Sequence, residues 1–276
     1  MRAIVVLAVL QVGCGGLIGN RQEVDIGRGV HDQLRDEYRL VDKSDPVAIW
    51  AVEFVRPLEG ASVPFRDPKE IGGYKVAVIA DDKLVNAFAA PGGYTYISTG
   101  LILGAKTCGE IAGVMGHELA HVTERHGVKR VEGAFAAEQV AGFFLDDGLA
   151  KDASLVIWNV LQSTKFSRDD EAEADEVGIQ ISYAAGYDPH GLADFFRKLL
   201  AAEGGGISLE FLSSHPATDS RIKAVEKDIR DRFGAEAKQR AKNCQGTKLQ
   251  LAQVQARIKD GLKIAEGTGQ KKNKTK

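Results

Sequence analysis

Polar and apolar positions sort the chain into helix-like and strand-like stretches in a definite order. Residues 24–38 mix charged and apolar side chains at helical spacing, and Asp45-Pro46 breaks that pattern before an apolar stretch through Trp50 and Phe54. Two leading helices are expected, because residues three and four apart share one helix face. Pro57, Gly60, Pro64 and Pro68 then punctuate a loop-rich passage, after which residues 75–80 have the β-branched content of a buried strand. Asp81-Asp82 reads as a turn, residues 84–90 as a second strand stopped by Pro91-Gly92-Gly93, and residues 94–98 as a third. Short links of this kind suit a small antiparallel sheet.

The remainder reads as helical. Thr107-Cys108-Gly109-Glu110 has the form of a capping box, and the helix it starts is expected to close at Gly127. Amphipathic stretches at 134–145 and 155–161 follow, with Glu138, Asp146, Asp147, Lys151 and Asp152 interrupting every run long enough to cross a bilayer. They read as core or lid helices. Ser167-Arg168-Asp169-Asp170 caps a helix running to Ala185, ended by Gly186 and Pro189. Further helices are expected at 192–202, at 218–233 after a Gly204-Gly205-Gly206 link, and around Leu251, Val254 and Ile258. Residues 267–276 form a short Lys-rich tail with the composition of a solvated, disordered end. The pattern is that of an α+β protein, mainly helical.

Composition narrows the function. The chain has 276 residues, 44% hydrophobic and 27% charged, enough to bury a substantial core. Lys and Arg number 36 against 38 Asp and Glu, so no broad field favours nucleic acid, and nucleic-acid binding is not expected. Arg2 precedes an apolar run from residue 3 to residue 10, then Gln11-Val12-Gly13-Cys14. This resembles a secretory leader of the bacterial lipoprotein type, with a small residue before a Cys that would carry lipid. Gln11 stands where Leu is usual. Residues 1–18 are read as leader with Cys14 as lipidation site, 19–232 as the main domain, and 233–276 as a helical extension and tail. Membrane attachment would then come through the N-terminal lipid or anchor. An exported chain also permits a disulfide between Cys108 and Cys244, with two buried thiols as the alternative.

The chemistry centres on His117-Glu118-Leu119-Ala120-His121, an HExxH pattern. On a helix, residues at i and i+4 lie one above the other, so two imidazoles reach one small ion. Zinc suits neutral His nitrogens, and a glutamate beside the first His is placed to take a proton from water. The next ligand decides the class. A metzincin continues as HExxHxxGxxH, which needs Gly at 124 and His at 127, where this chain has Glu124 and Gly127. His126 reads instead as a capping or surface histidine. Glu171 and Asp175, four apart, share the face of a second helix, so Glu171 can bind the metal while Asp175 accepts the free N–H of a ligand His. Ala172 and Ala174 are small enough for a close approach to the first helix. Asp169, Asp170 and Glu173 read as a solvated helix start.

The series Asn86-Ala87-Phe88-Ala89-Ala90-Pro91-Gly92-Gly93, Ser98-Thr99-Gly100-Leu101, His117 to His121, Ser167-Arg168 with Glu171 to Asp175, and Ser214-His215-Pro216 with Arg221 resembles the motifs of the zinc metallopeptidase family of HtpX, Oma1 and the CAAX prenyl endopeptidases. The likeness spans residues 74–221 in order and spacing. It implies a zincin-like, specifically gluzincin, core with the sheet packed on the active-site helix, one zinc held by His117, His121 and Glu171, and Glu118 as catalytic base. It also implies a catalytic role for His215, which either stabilises the oxyanion or occupies the water position and restrains activity. Arg221 either orients substrate or pairs with a carboxylate. Asn86, Ala87 and Phe88 would lie on an edge strand to which an extended peptide adds through its backbone. Spanning helices of the integral-membrane members are lacking after the N-terminus, so the chain resembles the soluble, envelope-located bacterial branch. The implied function is hydrolysis of unfolded or misassembled cell-envelope polypeptides on the periplasmic side. A zinc-binding holdase or assembly factor with little proteolysis is the alternative.

Overall fold

A computed structural model describes residues 16–138, 157–161, 165–202 and 210–269. Two long helices lead, α1 (Asn20–Glu37) and α2 (Pro46–Ser62). Asp45 caps α2 by accepting the Val47 N–H at 2.9 Å, and Pro46 takes the first helical position, where a missing N–H is harmless. α2 continues through Pro57 instead of giving way to a loop, held on the core by Trp50, Phe54 and Leu58.

The extended segments form β1 (Lys75–Ile79), β2 (Ala87–Ala90) and β3 (Tyr94–Ser98), in the spatial order β1-β3-β2. β2 and β3 pair antiparallel, as expected, whereas β1 runs parallel to β3, so the sheet is mixed. The chain after β1 does not turn back as a hairpin. It crosses the end of β3, where Gly100 N–H donates to the Asp81 carbonyl and Thr99 Oγ1 donates to Asp82 at 2.6 Å, and enters β2 on the far side. β2, shorter than expected, is therefore left at the sheet edge.

After α3 (Thr99–Gly104) comes α4 (Cys108–Thr123), which carries the HExxH residues and in which every residue is buried. Thr107 Oγ1 accepts the Glu110 N–H, but the Glu110 carboxylate reaches Lys106 N–H rather than that of Thr107 itself, one residue off a reciprocal capping box. α4 is surrounded by α2, β2, α6 (Arg168–Ala184) and α7 (Gly191–Ala202), and is followed directly by α5 (His126–Glu138). The expected stop at Gly127 is replaced by a break at Arg125, a non-glycine residue at φ 58°. That conformation costs about 1–2 kcal/mol, and it is offset by the Arg125 guanidinium, which donates to Glu23 Oε2 at 3.2 Å and to the Ile18 carbonyl.

The last helices are α8 (Glu210–Ser214), α9 (Asp219–Phe233) and α10 (Leu251–Asp260). Beyond α9 the chain returns to the body. Cys244 is disulfide-bonded to Cys108 at the start of α4, which decides the alternative left open by the sequence, and Ile264 bridges to Val41. Residues 1–15 of the leader, Cys14 among them, residues 139–145 and 155–156 of the two amphipathic stretches, the Gly204–206 link and the tail from residue 270 fall outside the described residues. Among those described, no helix is long and apolar enough to cross a membrane.

The contact that positions the site is α4 against α6. Ala174 is buried in it, but Ala172 is exposed, so the expected pair of small residues is only half used. The closest approach falls on two glycines. A Cβ on Gly178 would lie 2.7 Å from the His117 backbone nitrogen, and one on Gly116 would lie 2.7 Å from the Gly178 carbonyl oxygen. Gly178→Ala is therefore expected to push α6 off α4 and to cost about 1–3 kcal/mol in urea unfolding. An unchanged midpoint would show that the interface has slack at this point.

Candidate active site

α4 presents His117 and His121 on one face, and α6, capped by a reciprocal Ser167–Asp170 pair, brings Glu171 and Asp175 to meet them. His215, just after α8, completes the group. All five are buried. His117 Nε2 and His121 Nε2 are 3.1 Å apart, and His215 Nδ1 lies 3.2 Å from His117 Nε2 and 2.8 Å from Glu171 Oε1. Glu171 oxygens lie 3.6 Å from His117 Nε2 and 3.5 Å from His121 Nε2.

These separations test the fit to zinc. Donors bonded tetrahedrally at about 2.0–2.1 Å stand about 3.3 Å from one another. The observed spacings bracket that value, and His117, His121, Glu171 and His215 together offer one ligand atom each within 4.8 Å. Burial also drives the His121 pKa well below its usual value, keeping the neutral imidazole a metal requires. For Glu171, burial works against ionisation, but His215, His121 and His117 outweigh it and hold the carboxylate charged. The residues present fit a zinc ion.

Glu171, within the cluster, and Asp175, behind it, share one cation. His117 Nδ1 lies 2.9 Å from Asp175 Oδ1, where the sequence places the partner for its outer N–H. Arg221 donates from Nε to Asp175 Oδ2 at 2.8 Å and from Nη2 to Asp175 Oδ1 at 2.7 Å, while Nη1 pairs with Glu171 Oε2 at 2.7 Å and donates to the Pro216 carbonyl. Its guanidinium also stacks on Phe196, 4.6 Å from the ring centroid. Of the two expected roles, carboxylate pairing is the one the structure shows for Arg221. Facing inward, it reaches the far side of Glu171.

Glu118 sits between this cluster and the sheet edge. Its Oε2 accepts the Ala89 N–H at 3.0 Å, and its Oε1 lies 3.5 Å from His215 Nε2. Burial raises the Glu118 pKa, against the pull of His215 and His117. For His215 burial acts to lower the pKa, but the Glu118 and Glu171 carboxylates prevail and raise it. The pair register of β2 and β3, with Ser98 N–H donating to the Asn86 carbonyl, turns the backbone groups of Ala87 and Ala89 away from β3. Asn86 and Phe88 line the cleft above Glu118, whereas the Ala87 side chain is buried in the core and offers only its backbone.

Several neighbours carried no sequence signal. Val30, Arg130, Trp158, Leu161 and Phe166 wall the same cleft, and Phe166 stacks on His121 at 3.9 Å between ring centroids. Their spacing along the chain gives no motif. His126 is not at the surface: it is fully buried and bonded to His121. A wider hollow between Arg39, Asp82 and Leu262 lies elsewhere and gathers none of the metal-binding cluster.

A buried HExxH helix, a carboxylate from a second helix and a glutamate at a sheet edge together have the arrangement of a metallopeptidase centre of the His-His-Glu class. The chain matches peptidase family M48 over residues 56–229, and it belongs to that family. It is similar to the beta-barrel assembly-enhancing protease of Escherichia coli, 30% identical over 220 residues, covering 75% of this chain and 44% of the relative. It is also similar to the mitochondrial metalloendopeptidase OMA1 of Schizosaccharomyces pombe, 30% identical over 167 residues (59% and 48%), and to the metalloprotease LoiP of Escherichia coli, 33% identical over 168 residues (59% and 63%). The chain thus spans about half the length of these relatives.

The Arg221 clamp generates a prediction. Arg221→Leu takes the shared guanidinium from two buried carboxylates and is expected to lower stability by about 3–5 kcal/mol in denaturant titration. Arg221→Lys, a point charge that cannot bridge both acids, should recover only part of it; full recovery would mean that charge alone, without the fork, suffices.

Proposed function

We propose that the chain is a zinc metalloendopeptidase that hydrolyses unfolded or misassembled polypeptides of the bacterial cell envelope, with His117, His121 and Glu171 as ligands and Glu118 as base. The observation that carries this reading is the position of Glu118, 3.0 Å from the backbone of edge strand β2 and beside the donor cluster. When bound, zinc supplies Lewis acidity toward the scissile carbonyl and toward water. Glu118 takes the proton of the attacking water and returns it to the leaving amine, and its raised pKa suits both halves of that exchange. Asp175 orients the ring of His117 and Arg221 orients Asp175 and Glu171.

An extended peptide adds to β2 through the outward backbone groups of Ala87 and the Ala89 carbonyl, the Ala89 N–H being held by Glu118, so recognition reads backbone and favours unfolded segments. The Asn86 side-chain oxygen, buried at the cleft without a hydrogen-bond partner among the described residues, is a ready acceptor for a peptide N–H. Phe88, Trp158 and Phe166 line the cleft with apolar surface that suits an apolar side chain. Of the two roles implied for His215, restraint is better supported, because its Nδ1 stands among the ligand atoms at 2.8 Å from Glu171. The name of the Escherichia coli beta-barrel assembly-enhancing protease supports an envelope location, and attachment through a lipid on Cys14 extends that reading to the membrane.

The test pairs zinc content with hydrolysis of casein for wild type, Glu118→Gln and His215→Ala. About one zinc per chain in all three is expected, with cleavage abolished by Glu118→Gln, or by chelation, and faster in His215→Ala. Zinc without cleavage in wild type and in His215→Ala would favour a binding protein over a peptidase, and slower or unchanged cleavage in His215→Ala would remove the restraint.

A further inference from the structure

We infer that His126 is a positioning residue for the metal centre, holding His121 through a two-histidine relay that ends on Glu173. His121 Nε2 faces the donor cluster, so the proton of a neutral His121 ring belongs on Nδ1. That Nδ1 lies 2.8 Å from His126 Nδ1, which must then accept. His126 in turn carries its proton on Nε2 and donates it to Glu173 Oε2 at 3.0 Å, with Asp170 Oδ1 at 3.5 Å. The direction of every bond follows from the first.

The backbone is bent to make this possible. Five residues apart on an unbroken helix, the two rings would point about 140° away from each other. The left-handed Arg125 ends α4, and α5 starts afresh at His126 with that ring turned back under His121. His126 is fully buried, while the Glu173 side chain is 49% exposed, so the relay runs from the metal centre to the surface. The two metal-binding histidines are thus supported differently, His117 by Asp175 directly and His121 by a carboxylate one imidazole away. Outer partners of this kind fix ring orientation and raise ligand basicity, and their loss typically lowers metal affinity by about 10–100-fold.

This inference rests on the zinc-site reading, and the experiment separates the two. Zinc affinity of the full chain is measured by competition with a chromophoric chelator for wild type, His126→Leu, His126→Asn and Glu173→Leu, with circular dichroism as the check on folding. His126→Leu should bind about 10–100-fold more weakly. His126→Asn, whose Oδ1 can stand in for the accepting Nδ1, should recover most of the loss, and Glu173→Leu, at a half-exposed site that does not endanger folding, should fall between. Wild-type affinity in both His126→Leu and Glu173→Leu would overturn the relay; should His126→Leu not fold, Glu173→Leu and His126→Asn decide alone. If wild type binds no zinc, the site reading fails first, and ring-nitrogen chemical shifts of the metal-free chain then judge the relay: His121 protonated on Nδ1 supports it, and on Nε2 refutes it.

Discussion

The close approach of α4 to α6 is the constraint on which the rest of the structure depends. A ligand set drawn from two helices works only if their backbones come near enough for short side chains to meet. Here Gly116 and Gly178 remove the Cβ atoms that would stand between them. Everything else in the fold serves to hold that contact: α7 closes one flank of α4, β2 lies along another, and the Cys108–Cys244 disulfide ties the start of α4 to the returning chain.

Bringing the helices together also buries charge, and each buried acid has a specific answer. Glu171 and Asp175 share Arg221, whose planar fork can satisfy both where a point charge could not. Glu23, fully buried on α1, accepts from Arg66, from Arg125 and from the Gly92 N–H, joining α1 to the turn between β2 and β3 and to the end of α4. Arg66 also donates to the Val122 carbonyl in the last turn of α4, which accepts the Arg125 N–H as well. Pairs of this depth add little net stability over an apolar core, but removing one partner strands the other, so they fix the geometry.

Much of this was legible in the chain, and the boundary has a physical meaning. The HExxH helix, Glu171, Asp175 and the caps at Thr107 and Ser167 follow from local spacing, since i to i+4 arithmetic and capping chemistry act within one element. The parallel pairing of β1 depends on the path of the link after Ile79 over the end of β3, which no local pattern encodes. From sequence His126 reads as a surface or capping residue, whereas the fold buries it, because a left-handed arginine, normally disfavoured, is stabilised by Glu23 about a hundred positions earlier in sequence. Arg221 and the cleft residues Trp158 and Phe166 likewise gain their roles only through tertiary contact. Ala172 shows the converse: a small residue at a suitable spacing that ends in solvent, while glycines make the contact.

The most direct measurement is anomalous X-ray diffraction at the zinc edge from crystals of the zinc-loaded full chain. The proposed site requires one strong peak within about 2.0–2.3 Å of His117 Nε2, His121 Nε2 and a Glu171 oxygen. A peak held by other residues, or none at these three in crystals shown to contain zinc, would contradict it.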